Sequence, residues 1–296
     1  MHQIGTAISR AASGLLQIHW YKKSWANNSV INNSAFNKSV FKKCVFNKRF
    51  LNNGGIKFSL LLLFGSSMIA CQSTGSNPDD SNNSDLEKGV LMVYSEREAG
   101  SPLFRSRVFV NENYVYMDDS RIPADFLLFN RKEQKIYTVN SNDKSVFVIE
   151  PKKVAVTSPI EIDYTEASQP SSAIPSVGGG KATHYRYDAN GKHCYDAVTL
   201  EKSFLPGVID AFKEFRLVLA GEHASSLSRM PADTHDACDL ALNIFHTTKH
   251  LEHGVPLREW DQQGYLRFMI DYMENFTMKP ENLKIPTEYR QYSVNG

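Results

Sequence analysis

The chain has 296 residues and a formal net charge of +1. That small value is a cancellation, because residues 1–70 carry nine Lys and Arg and no Asp or Glu, whereas residues 71–296 carry 24 cations against 32 anions, a net charge of −8. The acidic composition of the larger part argues against a nucleic-acid partner, since such binding needs cations opposite the phosphates.

The N-terminal part has the order of features that a bacterial lipoprotein signal requires. Cations up to Lys57 precede the apolar run 58–70, which ends in Met68-Ile69-Ala70 before Cys71. The cations stay at the cytoplasmic face, the apolar run enters the bilayer, and small residues allow cleavage before a cysteine whose thiol takes a diacylglycerol, with palmitate among the expected acyl chains. Thirteen residues are too few for a spanning helix, which needs about 17 or more. This segment resembles a lipobox and predicts a signal peptide with lipidation at Cys71.

The expected organisation follows from this signal. Residues 1–57 are a disordered extension and basic region, with a start site downstream of residue 46 favoured, and residues 58–70 are the apolar region with the lipobox. Residues 71–86 are a polar tether, and residues 87–296 form a single folded domain. Gln72 replaces the Asp of inner-membrane retention signals, so the resemblance implies a lipid-anchored protein of the outer membrane that faces the periplasm.

Six short segments between residues 89 and 150 are rich in β-branched and aromatic residues and are separated by turn residues. This pattern predicts a meander of antiparallel strands. Several segments are apolar on both faces, so something is expected to cover the second side of the sheet as well. The segments are 90–94, 107–110, 114–117, 126–129, 136–139 and 146–149.

A break is expected at residues 165–181, where a Gly-rich run ends at Lys181. Pro175 and Ala182 occupy positions that exclude a phosphate-binding loop. Asn190-Gly191 then predicts a tight turn between strands at 184–187 and 194–198.

Two amphipathic helices are expected within the segment 203–253. Pro206 suits the first turn of one helix and Gly221 its end, while Asp233 is the expected N-cap of the other. Both apolar stripes should pack on the sheet, ahead of a strand pair at 256–260 and 266–270 and an extended end at 283–289. The stripes are Val208, Phe212, Phe215 and Leu219 in the first helix and Ala237, Leu240, Ala241 and Ile244 in the second.

Over residues 88–292 the order of elements resembles a group of bacterial lipoproteins related to the lipoprotein-carrier fold, the LolA and LolB half-barrel. The local landmarks are Asp125–Phe129, Lys135–Val139, Gly254–Arg258 and the sequence Ile285-Pro286-x-x-Tyr289. The resemblance implies an α+β class, a curved, half-barrel-like antiparallel sheet that helices cover on one face and whose concave apolar side accepts acyl chains. The helical insertion at 203–253 departs from that pattern, and no ligand-binding residue is carried over.

Cysteine usage predicts one disulfide. Cys44 precedes the expected cleavage site and Cys71 would be acylated, which leaves Cys194 and Cys238 in an oxidising periplasm. We expect a bond between them, with two separate buried thiols as the alternative. Closing a loop of 45 residues would stabilise the fold by about 4 kcal/mol on the chain-entropy model.

The one cluster that suggests metal chemistry is His246, His250 and His253, whose spacing places them along one helical edge. Two of the imidazoles could share a zinc ion. A metalloprotease has Glu after the first His, whereas this chain has Thr247, and no remote ligand is evident. A solvated polar face is the preferred interpretation, and no metal or cofactor is expected. Other catalytic patterns fail too: Ser141 to Lys144 matches Ser-x-x-Lys, but in a predicted turn and not at a helix start.

The leading functional hypothesis is a non-enzymatic lipoprotein, held to the membrane by its lipid anchor, that binds an acyl or lipid ligand or an envelope protein partner. The first alternative is an interaction module of an envelope assembly machine, with the helical insertion as its contact surface. The second is a zinc-dependent hydrolase that uses His246, His250 and His253.

Overall fold

The structure is a computed structural model that describes residues 86–120, 125–171, 180–227, 230–231 and 234–293, all within one compact unit of the chain. The predicted extension, signal peptide and tether, with Cys44 and the lipidation site Cys71, lie outside these residues, as does the expected N-cap Asp233. No helix in the described ranges is long and apolar enough to cross a membrane.

Twelve β-strands occur in the described residues, and they form one sheet. The strands are β1 (Glu87–Arg97), β2 (Phe104–Val110), β3 (Tyr114–Asp118), β4 (Phe126–Asn130), β5 (Lys135–Asn140), β6 (Ser145–Ile149), β7 (Tyr164–Pro170), β8 (Thr183–Ala189), β9 (Lys192–Thr199), β10 (Pro256–Asp261), β11 (Leu266–Met278) and β12 (Arg290–Ser293). Their order across the sheet is β12-β6-β5-β4-β3-β2-β1-β11-β10-β9-β8-β7.

Strands β1 to β6 form the predicted meander, in which each strand pairs antiparallel with the next. The sheet is not wholly antiparallel, because β12 pairs parallel with β6. The expected break at 165–181 is wrong for its first part, since β7 pairs with β8 at the sheet edge. The tight turn is where the sequence placed it, with positive φ at Asn190 (53°) and Gly191 (71°).

The architecture is predominantly β, and the expected α+β class, an antiparallel sheet covered on one face by helices, is wrong. Only two α-helices occur in the described residues, α1 (Pro206–Leu227) and α2 (Ala237–Leu240). The second is a single turn that continues into a π-helical turn at Ala241–Phe245. Asp236 is its N-cap and accepts a hydrogen bond from the backbone N–H of Asp239. The helix begins after Asp236 and not near Asp233, and it leaves the α-helical form after Leu240, which an apolar stripe alone does not predict.

Helix α1 buries its apolar stripe against the sheet. Phe212 and Phe215 belong to a cluster with sheet residues such as Val108 and Met117, and the ring centroids of Phe215 and Phe129 are 5.8 Å apart in an edge-to-face arrangement. The expected stop at Gly221 is wrong, since the helix continues for six residues to Leu227.

The second stripe does not pack on the sheet as a unit. Leu240 and Ile244 pack with Ala224 and Leu227 of α1, whereas Ala241 packs with tyrosines of β8 and β9. The expectation that this stripe would lie on the sheet is therefore wrong for its two largest members.

The other face of the sheet is covered by the end of β11 and the chain that follows it. Phe109 and Leu128 pack with Met278 and Leu283, and residues of β5 and β6 pack with Ile285. This segment includes a 3-10 turn at Pro280–Leu283, so it is not simply extended as expected. It covers the second face of the sheet, as the strands that are apolar on both faces predicted.

Candidate functional site

A groove opens where β10 and β11 separate. The two strands pair only between Arg258–Trp260 and Leu266–Phe268, after which β11 continues to Met278 beside β1. The groove at this fork has a volume of about 550 Å³. Six of its lining residues are aliphatic or aromatic, namely Leu257, Leu266, Phe268, Met269, Ile270 and Tyr272, and Arg258 and Asp271 are the charged ones.

The local sequence explains why β10 leaves β11 at this point. Gly254 has a φ of +134° and approaches Leu200 so closely that a Cβ atom would lie 1.7 Å from the Leu200 carbonyl oxygen. The Leu200 N–H in turn donates to the Val255 carbonyl at 3.3 Å. Pro256 then starts the strand without a backbone donor. These contacts hold the beginning of β10 against the end of β9 and away from β11.

A row of stacked groups extends from the groove across β10 and β8. The guanidinium carbon of Arg258 lies 5.0 Å from the centroid of the Trp260 ring, and His184 stacks on Trp260 with centroids 5.2 Å apart. In the part of the chain that the structure describes, Arg258 has no ion-pair partner. A cation therefore lies at the border of a largely apolar groove.

Asp196 joins two imidazoles at the far end of this row. The His184 Nε2 atom is 2.8 Å from Asp196 Oδ1 and the His193 Nε2 atom is 2.7 Å from Asp196 Oδ2. The two Nδ1 atoms face the amide nitrogens of Gln169 and Gln262, which can only donate. With Nδ1 as acceptor, the His184 Nε2 carries the proton that Asp196 Oδ1 accepts, so the buried carboxylate orients the His184 ring. The His193 Nε2 and Asp196 Oδ2 atoms lie close together without hydrogen-bond geometry and have no hydrogen-bond partner among the described residues. Asp196 therefore positions His184.

A second polar cluster is buried inside the sheet, and we call it the arginine cluster. Arg267 has its Nε atom 3.4 Å from Glu96 Oε1 and its Nη1 atom 3.6 Å from Glu259 Oε2. Ser106 donates to Glu96 and Tyr195 donates to Glu259. Burial raises the pKa of both carboxyl groups, and Arg267 opposes that rise. The cluster is sealed from solvent, so we assign it a structural role.

The three histidines that suggested a metal site are directed to three different aromatic rings. His246 stacks on Tyr164 (centroids 4.5 Å apart), His253 stacks on Tyr185 (3.9 Å), and the buried His250 packs edge-on against Tyr195. They do not share one helical edge, because the helical turn ends at Phe245 and His250 lies in a separate 3-10 turn, Lys249–Leu251. Within the described residues, no three His, Cys, Asp or Glu side chains are grouped to hold a metal ion.

The structure joins Cys194 and Cys238 in a disulfide, the pairing that the sequence favoured, with Cα atoms 5.2 Å apart. This lies inside the limit of about 7 Å that disulfide geometry allows. The bond links β9 to α2 beside the packed tyrosines of β8 and β9.

No motif in the sequence marks Arg258, Trp260, His184 or Asp196 as site residues. The Asn-Gly turn could have predicted the contact between His184 and Asp196. The register of the hairpin that it closes pairs His184 with Val198, which is two residues from Asp196 along β9. The contribution of Trp260 depends on β10 pairing with β9, which no local pattern predicts.

Comparisons with known proteins do not identify a family. No family model and no curated protein matches the chain. Among solved structures, an uncharacterized conserved protein from Thermus thermophilus is similar with a TM-score of 0.36 and 8% identity, over 69% of this chain and 89% of that one. The structure of PNGF-II is similar with a TM-score of 0.35 and 8% identity, over 71% of this chain but 32% of that one. Similarity at this level carries no argument about function.

Proposed function

We propose that the protein is a lipid-anchored, periplasm-facing protein of the outer membrane that binds a hydrophobic ligand in the groove between β10 and β11. The observation that supports this most directly is the groove itself. Its volume of about 550 Å³ lies in the range of about 300–1,000 Å³ that is typical of small-molecule sites. Ile270 is 42% exposed on its wall, so a ligand there would remove apolar surface from water.

Binding is favoured over catalysis by the state of the polar groups beside the groove. In the nearest carboxylate–imidazole set, Asp196 Oδ1 accepts a hydrogen bond from His184 Nε2, and His193 Nε2 lies 2.7 Å from Asp196 Oδ2. The hydrogen bond between Asp196 and His184 favours a positioning role for this pair over proton transfer to a ligand in the groove.

Ligand binding is tested by native mass spectrometry of protein released gently from membranes. We expect a bound lipid-sized mass on the unaltered chain and its loss from Ile270→Glu, which places a charge in the groove. Leu217→Glu is the matched control, because Leu217 is 53% exposed on α1 and does not line the groove. Equal loading of the two variants, or no bound mass on the unaltered chain, contradicts the proposal.

The membrane anchor rests on the sequence signal that ends at Cys71 and is tested separately. Cys71→Ala should leave an uncleaved form in the inner membrane, because the peptidase and the acyl transfer both require the thiol. Appearance of a cleaved Cys71→Ala product in the outer-membrane fraction would show that the signal is not a lipobox.

A second candidate function, binding of an envelope protein partner, is favoured by the open edge of β11. Beyond Phe268 this strand pairs with β1 on one side only among the described strands, and Met273 is 42% exposed. An unpaired strand edge can accept a strand from another chain. A photo-cross-linking residue at position 273 should then give a discrete adduct in cells, and the same residue at position 217 should not.

A further inference from the structure

No described carboxylate forms an ion pair with Arg258, the cation at the groove border. Several other arginines in the described residues have a carboxylate partner, such as Arg131 with Glu214 at 2.7 Å and Arg186 with Asp188 at 2.9 Å. Arg258 has none within the described ranges, although residues 71–296 carry an excess of acidic side chains. An unpaired cation next to an apolar groove is complementary to a ligand that carries an anionic group.

The two ends of the groove carry opposite charges, Arg258 at one end and Asp271 at the other. Asp271 lies three residues along β11 from Phe268, the residue paired with Arg258, which corresponds to about 10 Å of extended strand. The Asp271 carboxylate accepts a hydrogen bond from the backbone N–H of Tyr272 at 2.8 Å. An anion is therefore attracted at the Arg258 end and repelled at the Asp271 end.

The aromatic row restricts the position of the cation. Trp260 lies beneath the Arg258 guanidinium, His184 stacks on Trp260, and Asp196 holds His184 by a contact of 2.8 Å. A cation held over an aromatic face loses less side-chain entropy when it binds a ligand than a free arginine does.

Resting on the function proposed above, we propose that the groove selects a single-chain amphiphile with an anionic head group. The head group, a carboxylate or a phosphate, binds the Arg258 guanidinium, and the alkyl chain lies along β11 over Phe268 and Ile270. A carboxylate or phosphate can take two parallel hydrogen bonds from an arginine, whereas a hydroxyl cannot.

The chain contains a built-in reporter for the test. Its three tryptophans are Trp20, Trp25 and Trp260, so the full chain with Trp20→Phe and Trp25→Phe reports from position 260 alone. Fluorescence titration uses four ligands with the same twelve-carbon chain, below their micelle concentrations: dodecanoate, dodecyl phosphate, dodecanol and dodecyltrimethylammonium. We expect at least one of the two anions to bind about tenfold more tightly than dodecanol, which corresponds to one charge-assisted hydrogen bond.

Variants in the same background assign the preference to one residue. Arg258→Gln should abolish the difference in affinity between the anionic ligands and dodecanol. Arg258→Lys should keep part of that difference. Arg186→Gln is the matched control, because it removes an exposed arginine of β8 that is already paired with Asp188 of the same strand and does not line the groove. The preference of the unaltered site should also decrease with added salt, a measurement that does not depend on how any variant folds.

The outcomes separate this inference from the proposed function. Equal affinity for dodecanol and both anions, tighter binding of the cationic ligand, or an anion preference that survives Arg258→Gln overturns the inference and leaves ligand binding standing. Binding of none of the four ligands overturns both. A preference for the carboxylate alone or the phosphate alone supports the inference and identifies the head group.

Discussion

The guanidinium carbon of Arg267 lies 3.7 Å from the centroid of the Tyr94 ring, and both side chains are almost completely buried. The sheet register creates this arrangement, because Arg267 pairs directly with Glu96 of β1 on one side and with Glu259 of β10 on the other. One buried cation is thus placed between two buried carboxyl groups over an aromatic ring.

We predict that Arg267→Met lowers the free energy of unfolding by about 3–5 kcal/mol at neutral pH, because it leaves two buried carboxyl groups without their cation. The burial that raises the pKa of Glu96 and Glu259 would then be opposed only by the hydrogen bonds from Ser106 and Tyr195 and by the charge of Arg216. A raised pKa in the folded state means that stability is lost as pH rises above the ordinary value of about 4.5.

Urea unfolding at pH 5 and pH 7 checks this prediction. The deficit of Arg267→Met should be smaller at pH 5, where more of the carboxyl groups are protonated. Arg186→Gln, a change at an exposed ion pair, should alter stability by less than about 0.5 kcal/mol at either pH. An equal deficit for Arg267→Met at both pH values would show that packing, and not charge, explains its effect.

The buried tyrosines predict a loss of stability in alkali. Burial raises the pKa of Tyr94, Tyr187 and Tyr195 above the usual 10.0. Above pH 10 these groups ionise in the unfolded chain before they ionise in the folded one, so the folded state binds more protons and stability decreases with rising pH. Each such group contributes about 1.4 kcal/mol per pH unit.

Circular dichroism of unfolding between pH 9 and 12 measures this slope. Tyr187→Phe should reduce it, because the variant has one fewer buried phenol. At pH 7 the same variant should be neutral or slightly stabilising, since the Tyr187 hydroxyl is buried without a hydrogen-bond partner among the described residues. An unchanged alkaline slope would contradict the role assigned to burial.

The disulfide between Cys194 and Cys238 should stabilise the fold by about 2–4 kcal/mol, because it limits the freedom of the unfolded chain between β9 and α2. Reductant should lower the urea midpoint of the unaltered chain and leave Cys194→Ala/Cys238→Ala unchanged. Hydrogen exchange should rise most in β9 and α2. If complete reduction leaves the urea midpoint unchanged, the disulfide does not stabilise the fold.

Local patterns predicted the local parts of this fold and missed the rest for physical reasons. The meander and the Asn190-Gly191 hairpin depend on neighbouring residues, so strand composition and turn chemistry were sufficient. Strand β7 was missed because most of Tyr164–Pro170 is exposed and has no apolar alternation. The fold class was wrong because the second expected helix is only a single turn, Ala237–Leu240, in a chain that is mostly sheet. The pairing of β11 with β1 joins residues far apart in the chain, so no local pattern predicts it.

The sequence did not predict the candidate site because its residues also meet through long-range strand pairing. Arg258 and Trp260 come from β10, whereas His184 and Asp196 come from β8 and β9, and only the sheet order brings the four together. The histidine spacing, by contrast, was visible in the sequence but relied on a continuous helix, which ends at Phe245.

The two glycines of α1 provide a matched pair that tests the packing of this helix. A Cβ atom at Gly207 would meet nothing within 4 Å, whereas a Cβ atom at Gly221 would lie 2.1 Å from the Lys152 carbonyl oxygen. Gly207→Ala should therefore stabilise the protein by up to about 1 kcal/mol through helix propensity and reduced freedom of the unfolded chain.

Gly221→Ala should have the opposite sign and destabilise the protein by about 1–3 kcal/mol, since an added methyl group overpacks the contact. The Lys152 segment cannot easily move away, because the Lys152 Nζ atom lies 2.6 Å from Glu222 Oε2 on the same helix. Urea unfolding of the two variants side by side measures the difference. Similar stabilisation by both substitutions would mean that Gly221 merely lowers helix propensity. A selective loss for Gly221→Ala would show that this glycine is required where the backbone of residue 152 crosses the helix.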